Sequence, residues 1–128
     1  MKVLIVDDSP DIAELLGEII ADMGYQTTVV ENGLKALDAL KQEVFDMALV
    51  DWKMPEMSGL ELIKAIRANS KFDTMKIIMI TGMTDLEDVT CALENGANEY
   101  LMKPFSQEMV VDKLRLCGFD LGAQQDSL

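Results

Sequence analysis

The stretch KVLIVDDSPDIAELLGEIIADMGYQTTVV, residues 2–30, decides the architecture. It opens on Lys2-Val3-Leu4-Ile5-Val6, a short apolar run that reads as a buried strand. Two acids, Asp7-Asp8, close the run. Ser9-Pro10 then supplies a helix N-cap followed by proline in the first turn, where its missing N–H removes no hydrogen bond. Ile12, Leu15, Leu16, Ile19, Ile20 and Met23 recur at helical spacing and are expected to face a core. Gly24 suits the stop. Thr27, Thr28, Val29 and Val30 are β-branched, so a second strand follows. The unit is strand, helix, strand.

The same alternation runs outward to the end of the chain. Asn32-Gly33 opens a helix of about ten residues, with Leu34, Leu37 and Leu40 placed inward. Residues 46–50 run into Asp51 as a third strand. Ser58 and Glu61 form a capping box for a helix reaching about Asn69. Residues 76–80 make a fourth strand ending at Thr81, and Thr84 with Glu87 makes a second capping box. That helix stops at Asn95-Gly96; residues 98–102 are the fifth strand. Lys103-Pro104 follows, and Ser106 caps a last helix to about Leu116. Five strand–helix units of this kind predict an α/β fold, a parallel sheet covered by helices on both faces. One domain, residues 1–118, and a short polar tail, residues 119–128, account for the chain.

Composition narrows the chemistry. There are 23 acidic and 11 basic residues, a net charge of −12, which argues against a nucleic-acid partner or an anionic membrane surface. No apolar run approaches the ~20 residues of a membrane span. The early acids Asp7-Asp8 exclude a signal peptide, so a cytoplasmic location is expected. Cys91 and Cys117 lack metal-type spacing and read as reduced thiols. The chain has no histidine, so acid–base or metal chemistry has to rest on carboxylates, hydroxyls and lysines.

Ligand sites of open α/β sheets lie beyond the carboxyl ends of the strands. Strand one ends at Asp7-Asp8, strand three at Asp51, strand four at Thr81, and strand five shortly before Lys103. Strand two ends at Val30-Glu31, and an edge position explains why it adds nothing to the group. Three carboxylates this close repel one another, so either their pKa values rise or a cation sits among them. Hard oxygen donors suit Mg²⁺, with Mn²⁺ as a substitute, and a metal of that kind neutralises an incoming phosphoryl group. Lys103 offers a point charge and Thr81 a hydrogen bond to phosphoryl oxygens. Asp51, from mid-sheet with the others flanking it, is the expected nucleophile and would form an aspartyl phosphate.

These residues carry a resemblance. Asp7-Asp8-Ser9, the segment Asp51-Trp52-Lys53-Met54-Pro55-Glu56-Met57-Ser58-Gly59, Thr81-Gly82, Gly96-Ala97, Tyr100 and Lys103-Pro104-Phe105 resemble the receiver domain of two-component response regulators, most of all the single-domain chemotaxis-regulator type. The likeness spans residue 2 to about residue 117. It implies strand order 2-1-3-4-5 in a flavodoxin-like doubly wound fold, an order for which chemotaxis regulators are themselves a standard example. It implies that Asp51 takes a phosphoryl group from a sensor histidine kinase or phosphotransfer protein. It implies direct Mg²⁺ ligation by Asp8, Asp51 and the Lys53 backbone carbonyl, with Asp7 acting through water. Thr81 and Lys103 would hold the phosphoryl oxygens, and a cis Lys103-Pro104 bond is implied. Tyr100 would change rotamer with Thr81, altering the surface of helix four, strand five and helix five that binds a downstream protein target.

Two positions depart from the chemotaxis type. Lys53 stands where that type has Asn, and Met83 where it has an acid. Both flank the path of a hydrolytic water and are expected to modulate turnover. Other readings compete. A phosphorelay intermediate would pass the phosphoryl group on, and a receiver-like module could bind partners without phosphorylation. A flavodoxin-like cofactor binder needs a Ser/Thr/Gly-rich loop where Asp7-Asp8 stand. A phosphatase-type hydrolase needs a second acid at Lys53 and a substrate cap. Primary function as a signalling switch, with self-catalysed phosphorylation and slow autodephosphorylation, fits the residues better than an enzyme acting on other molecules.

Overall fold

The computed structural model describes residues 1–82 and 86–119. Strands β1 (Lys2–Val6), β2 (Gln26–Val30), β3 (Met47–Asp51), β4 (Lys76–Thr81) and β5 (Glu99–Met102) alternate with helices α1 (Pro10–Asp22), α2 (Gly33–Gln42), α3 (Gly59–Arg67), α4 (Leu86–Glu94) and α5 (Gln107–Leu116). A single 3₁₀ turn, Ser70–Phe72, lies between α3 and β4. All strands pair in parallel, in the order β2-β1-β3-β4-β5. The sheet order and doubly wound class implied by the resemblance are thus observed. β2 is an edge strand, as its lack of a terminal acid-site residue predicts.

Side chains alternate across each strand, and both faces of the inner strands β1, β3 and β4 are dry. Val3 and Ile5 join Leu16, Ile20, Leu101, Val110 and Leu114 on the α1–α5 side. Leu4 and Val6 join Ala36, Leu40, Leu62, Ile63 and Ile66 on the other. Each fully buried aliphatic side chain of β1 contributes about 2 kcal/mol of burial free energy. No helix among the described residues is long and apolar enough to cross a membrane.

Several local expectations are corrected. Leu15 and Leu34 are exposed, the latter by 54%. Each lies one position, about 100° of helix, away from a residue that does face the core: Leu16 beside Leu15, Gly33 beside Leu34. Ser9 occupies the N-cap position with extended backbone, but its hydroxyl caps nothing. Its N–H donates instead to Asp7 Oδ1 at 2.9 Å. Helix α3 ends at Arg67, short of Asn69, which caps the 3₁₀ turn. By contrast, Asn32 and Ser106 cap as expected, and Ser58 with Glu61 forms the full capping box. The Thr84 cap falls outside the described residues, as do residues 120–128. Phe119, expected in the polar tail, is 5% exposed and packs edge-on against Tyr25, ring centroids 5.5 Å apart. Cys91 and Cys117 are free thiols.

One residue that spacing leaves anonymous ties the amino-end rim of the sheet together. Arg67 makes four hydrogen bonds, to the carbonyls of Gly96 (3.0 Å), Phe72 (2.8 Å) and Met75 (2.7 Å) and to Asn98 Oδ1 (3.0 Å). Asn98, expected in strand five, instead turns its Oδ1 to the Ile77 N–H at 2.8 Å. Gly96 is required beside it: its φ is +117°, and a Cβ there would lie 2.4 Å from Arg67 Cγ. Replacing Arg67 by Met keeps the stem and removes every donor. Urea denaturation of Arg67→Met is expected to show a loss of about 2 to 4 kcal/mol, the range for breaking a half-buried hydrogen-bond network. A loss below about 0.5 kcal/mol, the level of ordinary surface changes, would mean that water replaces the guanidinium without penalty.

Candidate functional site at the carboxyl rim

The polar residues picked out along the chain converge at one end of the sheet. Asp7 follows β1 and is 2% exposed; Asp51 ends β3 at 5% and Thr81 ends β4 at 2%. Asp8 is exposed beside them. Lys103 follows β5, and its N–H donates to the Thr81 carbonyl at 2.7 Å, which fixes the start of that loop. The Lys103-Pro104 bond is cis. Lys103 Nζ lies 3.4 Å from Asp51 Oδ1 and 3.9 Å from Asp7 Oδ2. Carboxylate oxygens of Asp7, Asp8 and Asp51 all fall within 4.8 Å of one another.

Local packing explains how Asp51 is held. The next residue, Trp52, donates its N–H to the Ile80 carbonyl at 2.8 Å, prolonging the β3–β4 ladder past the acid. The Gly59 N–H returns to the Trp52 carbonyl at 3.0 Å. A Cβ on Gly59 would lie 2.5 Å from the Asp51 carbonyl oxygen and 2.9 Å from Trp52 Cα. Only glycine lets the N-terminus of α3 approach the acid's backbone this closely. Between them the chain turns through Glu56 at φ +70°, a left-handed conformation that costs a non-glycine residue about 1 kcal/mol.

Among the described residues the electrostatics are lopsided, with three carboxylates against one ammonium. Burial pushes the Asp51 carboxyl up to about 6, and the Asp7 charge adds to the rise; Lys103 opposes both without cancelling them. Asp7 is raised too, again mainly by burial, against the pull of the Ser9 N–H and Lys103. Asp7 Oδ2 is buried and accepts no hydrogen bond from the described residues. An orphaned carboxylate oxygen beside two more oxygen donors fits a hard divalent cation. Among the other predicted residues, Lys53 is exposed and Tyr100 is half-buried on β5. Met83 lies outside the described residues.

Comparison with known proteins points the same way. The family model for the response regulator receiver domain matches residues 3–115. A chemotaxis protein CheY homolog of Campylobacter jejuni is 39% identical over 116 residues, covering 89% of this chain and 89% of its own length. Chemotaxis protein CheY1 of Helicobacter pylori is 36% identical over 118 residues, 91% of this chain and 95% of its own. The solved structure of chemotaxis response regulator CheY4 of Vibrio cholerae aligns with a TM-score of 0.86 at 34% identity, over 91% of this chain and 97% of that one.

The raised Asp51 carboxyl makes stability depend on pH. Asp51 binds its proton more tightly folded than unfolded, so its contribution favours folding most below the unfolded value of 3.8 and is lost as pH rises through about 6. Above that, the buried charge costs on the order of 3 kcal/mol. In chelator, Asp51→Asn is therefore expected to exceed the parent in stability by about 1 to 3 kcal/mol near pH 8. The gap is expected to close toward about pH 4, and to narrow near pH 8 when Mg²⁺ replaces the chelator. Urea titrations across pH measure it; a gap independent of pH would mean that Asp51 carries no such cost.

Proposed function

This chain belongs to the response regulator receiver family, and on that premise we propose that it accepts a phosphoryl group on Asp51 and signals through its α4–β5–α5 face. The observation that carries the reading is the Asp51 carboxylate itself, at the end of a central strand, 3.4 Å from the Lys103 ammonium and among two further acids. The donor is a phosphohistidine on a sensor histidine kinase or a phosphotransfer protein. An Asp51 oxygen attacks phosphorus, the P–N bond breaks, and the imidazole leaves with the electron pair and takes up a proton. A carboxyl that titrates near 6 is mostly ionised at neutral pH, so the nucleophile is available.

The residues around Asp51 divide the remaining work. Lys103 sets a positive charge beside the Asp51 carboxylate, 3.4 Å from its Oδ1, and balances charge on the phosphoryl oxygens. Thr81, ending the neighbouring strand, supplies a hydroxyl toward the same group. Mg²⁺, or Mn²⁺, would be held by Asp8, Asp51 and the Lys53 carbonyl, with Asp7 through water, and would neutralise phosphoryl charge. Asp7 contributes the buried oxygen that lacks any hydrogen bond. Hydrolysis of the acyl phosphate by water resets the switch. Tyr100 on β5 is the ring whose reorientation changes the output face, and the chemotaxis names of the relatives point to a protein target of that pathway class.

Intact-protein mass spectrometry tests the reading. With Mg²⁺ and a small acyl phosphate, the parent is expected to gain one phosphoryl group and Asp51→Asn none, with a Trp52 fluorescence change in the parent alone. A parent that gains nothing and shows no fluorescence response to Mg²⁺ would instead favour a module that works unphosphorylated. The paired change Lys53→Asn with Met83→Glu gives both departing positions the residue types of the chemotaxis regulators. It is expected to shorten the aspartyl-phosphate lifetime on the order of tenfold, about 1.4 kcal/mol of barrier. Equal decay curves for the two proteins would remove these positions from the account of turnover.

A further inference from the structure

Outside the phosphoacceptor cluster, one ion pair is built around the Tyr100 ring. Lys113 on α5 places its Nζ 4.2 Å from the ring centroid. The same ammonium donates to Glu99 Oε1 at 2.9 Å. That oxygen also accepts the N–H of Tyr100 itself, at 3.0 Å. Glu99 thus fixes two things at once: the backbone of the tyrosine and the cation on its ring. The Lys113 and Glu99 side chains are only 23% and 21% exposed, so the pair is shielded from competing water.

The position in the sheet gives this contact its leverage. β5 is an edge strand, bonded among the described residues to β4 alone. Tyr100 packs with Met79, Ala92 and Ala97 on the α4 side, while its neighbour Leu101 packs with Val110 and Leu114 of α5 on the other. Lys113 therefore reaches from the α5 side to a ring on the α4 side. A ring held by its π face against an anchored cation gives up that contact when it swings, because Glu99 keeps the cation where it is.

We propose that Lys113 is a positioning residue: anchored by Glu99, it holds Tyr100 in its resting orientation and sets how readily the α4–β5–α5 face changes shape. The inference deepens the switch reading above and rests on Tyr100 being its mobile ring. Lysine at this place acts as a restraint on the unphosphorylated state, so removing its charge shifts the resting population toward the activated one.

The sequence makes a clean test possible, since it holds two tyrosines, Tyr25 and Tyr100. Both are replaced biosynthetically by 3-fluorotyrosine in the full chain. The H₂O/D₂O isotope shift of the Tyr100 fluorine reports ring exposure, which loss of a nearby charge does not alter by itself. Tyr25, packed on Phe119, serves as the internal standard of folding. Parent, Lys113→Met, Lys113→Arg and Glu99→Gln are compared with and without Mg²⁺ and beryllofluoride as the phosphoryl mimic. Without the mimic, Lys113→Met is expected to move the Tyr100 reading in the direction the mimic moves it in the parent. A two- to fivefold gain in the moved population, roughly what a cation–π contact at a partly exposed site is worth, is expected. Lys113→Arg is expected to keep the parent value and Glu99→Gln to fall between, with Tyr25 constant throughout. If the mimic moves Tyr100 in the parent while Lys113→Met matches the parent at rest, the clamp is overturned and the switch reading survives. If Lys113→Met moves the ring and the mimic does not, Lys113 holds the ring, but its proposed hold on the switch is overturned together with the reading of Tyr100 as the mobile element. If neither moves it, both fall.

Discussion

A parallel sheet buried on both faces leaves polar chemistry nowhere to stand except at the strand ends. β1 and β3 show the constraint in full, since every residue from Val3 to Val6 and from Met47 to Val50 is inaccessible to water. The next residue along each strand is an aspartate. Asp7 and Asp51 are therefore as near to the dry interior as a carboxylate can be while still facing a rim. Burial, the largest influence on both acids, is a direct product of the fold that places them.

The consequence is an electrostatic imbalance that the protein does not resolve by itself. Lys103 is the one ammonium within 4 Å of Asp7 and Asp51 among the described residues, and it cannot satisfy both. Asp7 Oδ2, 3.9 Å from the Lys103 ammonium, accepts no hydrogen bond from the described residues. Such a site is unfavourable for folding and favourable for ligands: whatever brings positive charge to the rim relieves it. Stability surrendered at the rim is recovered in two aliphatic layers and in the Arg67 network at the opposite end. The molecule is polarised, with one rim saturated in hydrogen bonds and the other left short of positive charge.

Much of this was legible in the sequence because period and punctuation agreed. Strand runs ended in acids, capping residues stood at helix starts, and Gly24 and Gly96 took the positive φ that ends a helix. The acidic cluster followed from topology once the strands were placed. Legibility failed where three-dimensional neighbours decide. Leu15 and Leu34 look like core residues, but the face of a helix is chosen by what it packs on, and a residue 100° away loses. Ser9 looks like a cap, yet the carboxylate two residues earlier claims its N–H. Phe119 sits among small polar residues, and only the nearness of Tyr25 explains its burial. Arg67 and Lys113 carried no pattern at all: each acts on partners at least five residues away, through contacts that exist only after folding.

Gly59 deserves a mechanical reading. With no side chain, it lets α3 rest directly on the backbone of Asp51 and Trp52, with no soft layer of side chains between. A helix seated on backbone has no slack to take up. Under the proposed switch, a change of shape driven from Asp51 would therefore meet a rigid abutment on the α3 side. On the other side lies β5, an edge strand of the sheet. For the proposed switch, displacement would follow the compliant route. The direction of the signal would then be a matter of stiffness: the glycine closes one path, and the edge strand takes what motion remains.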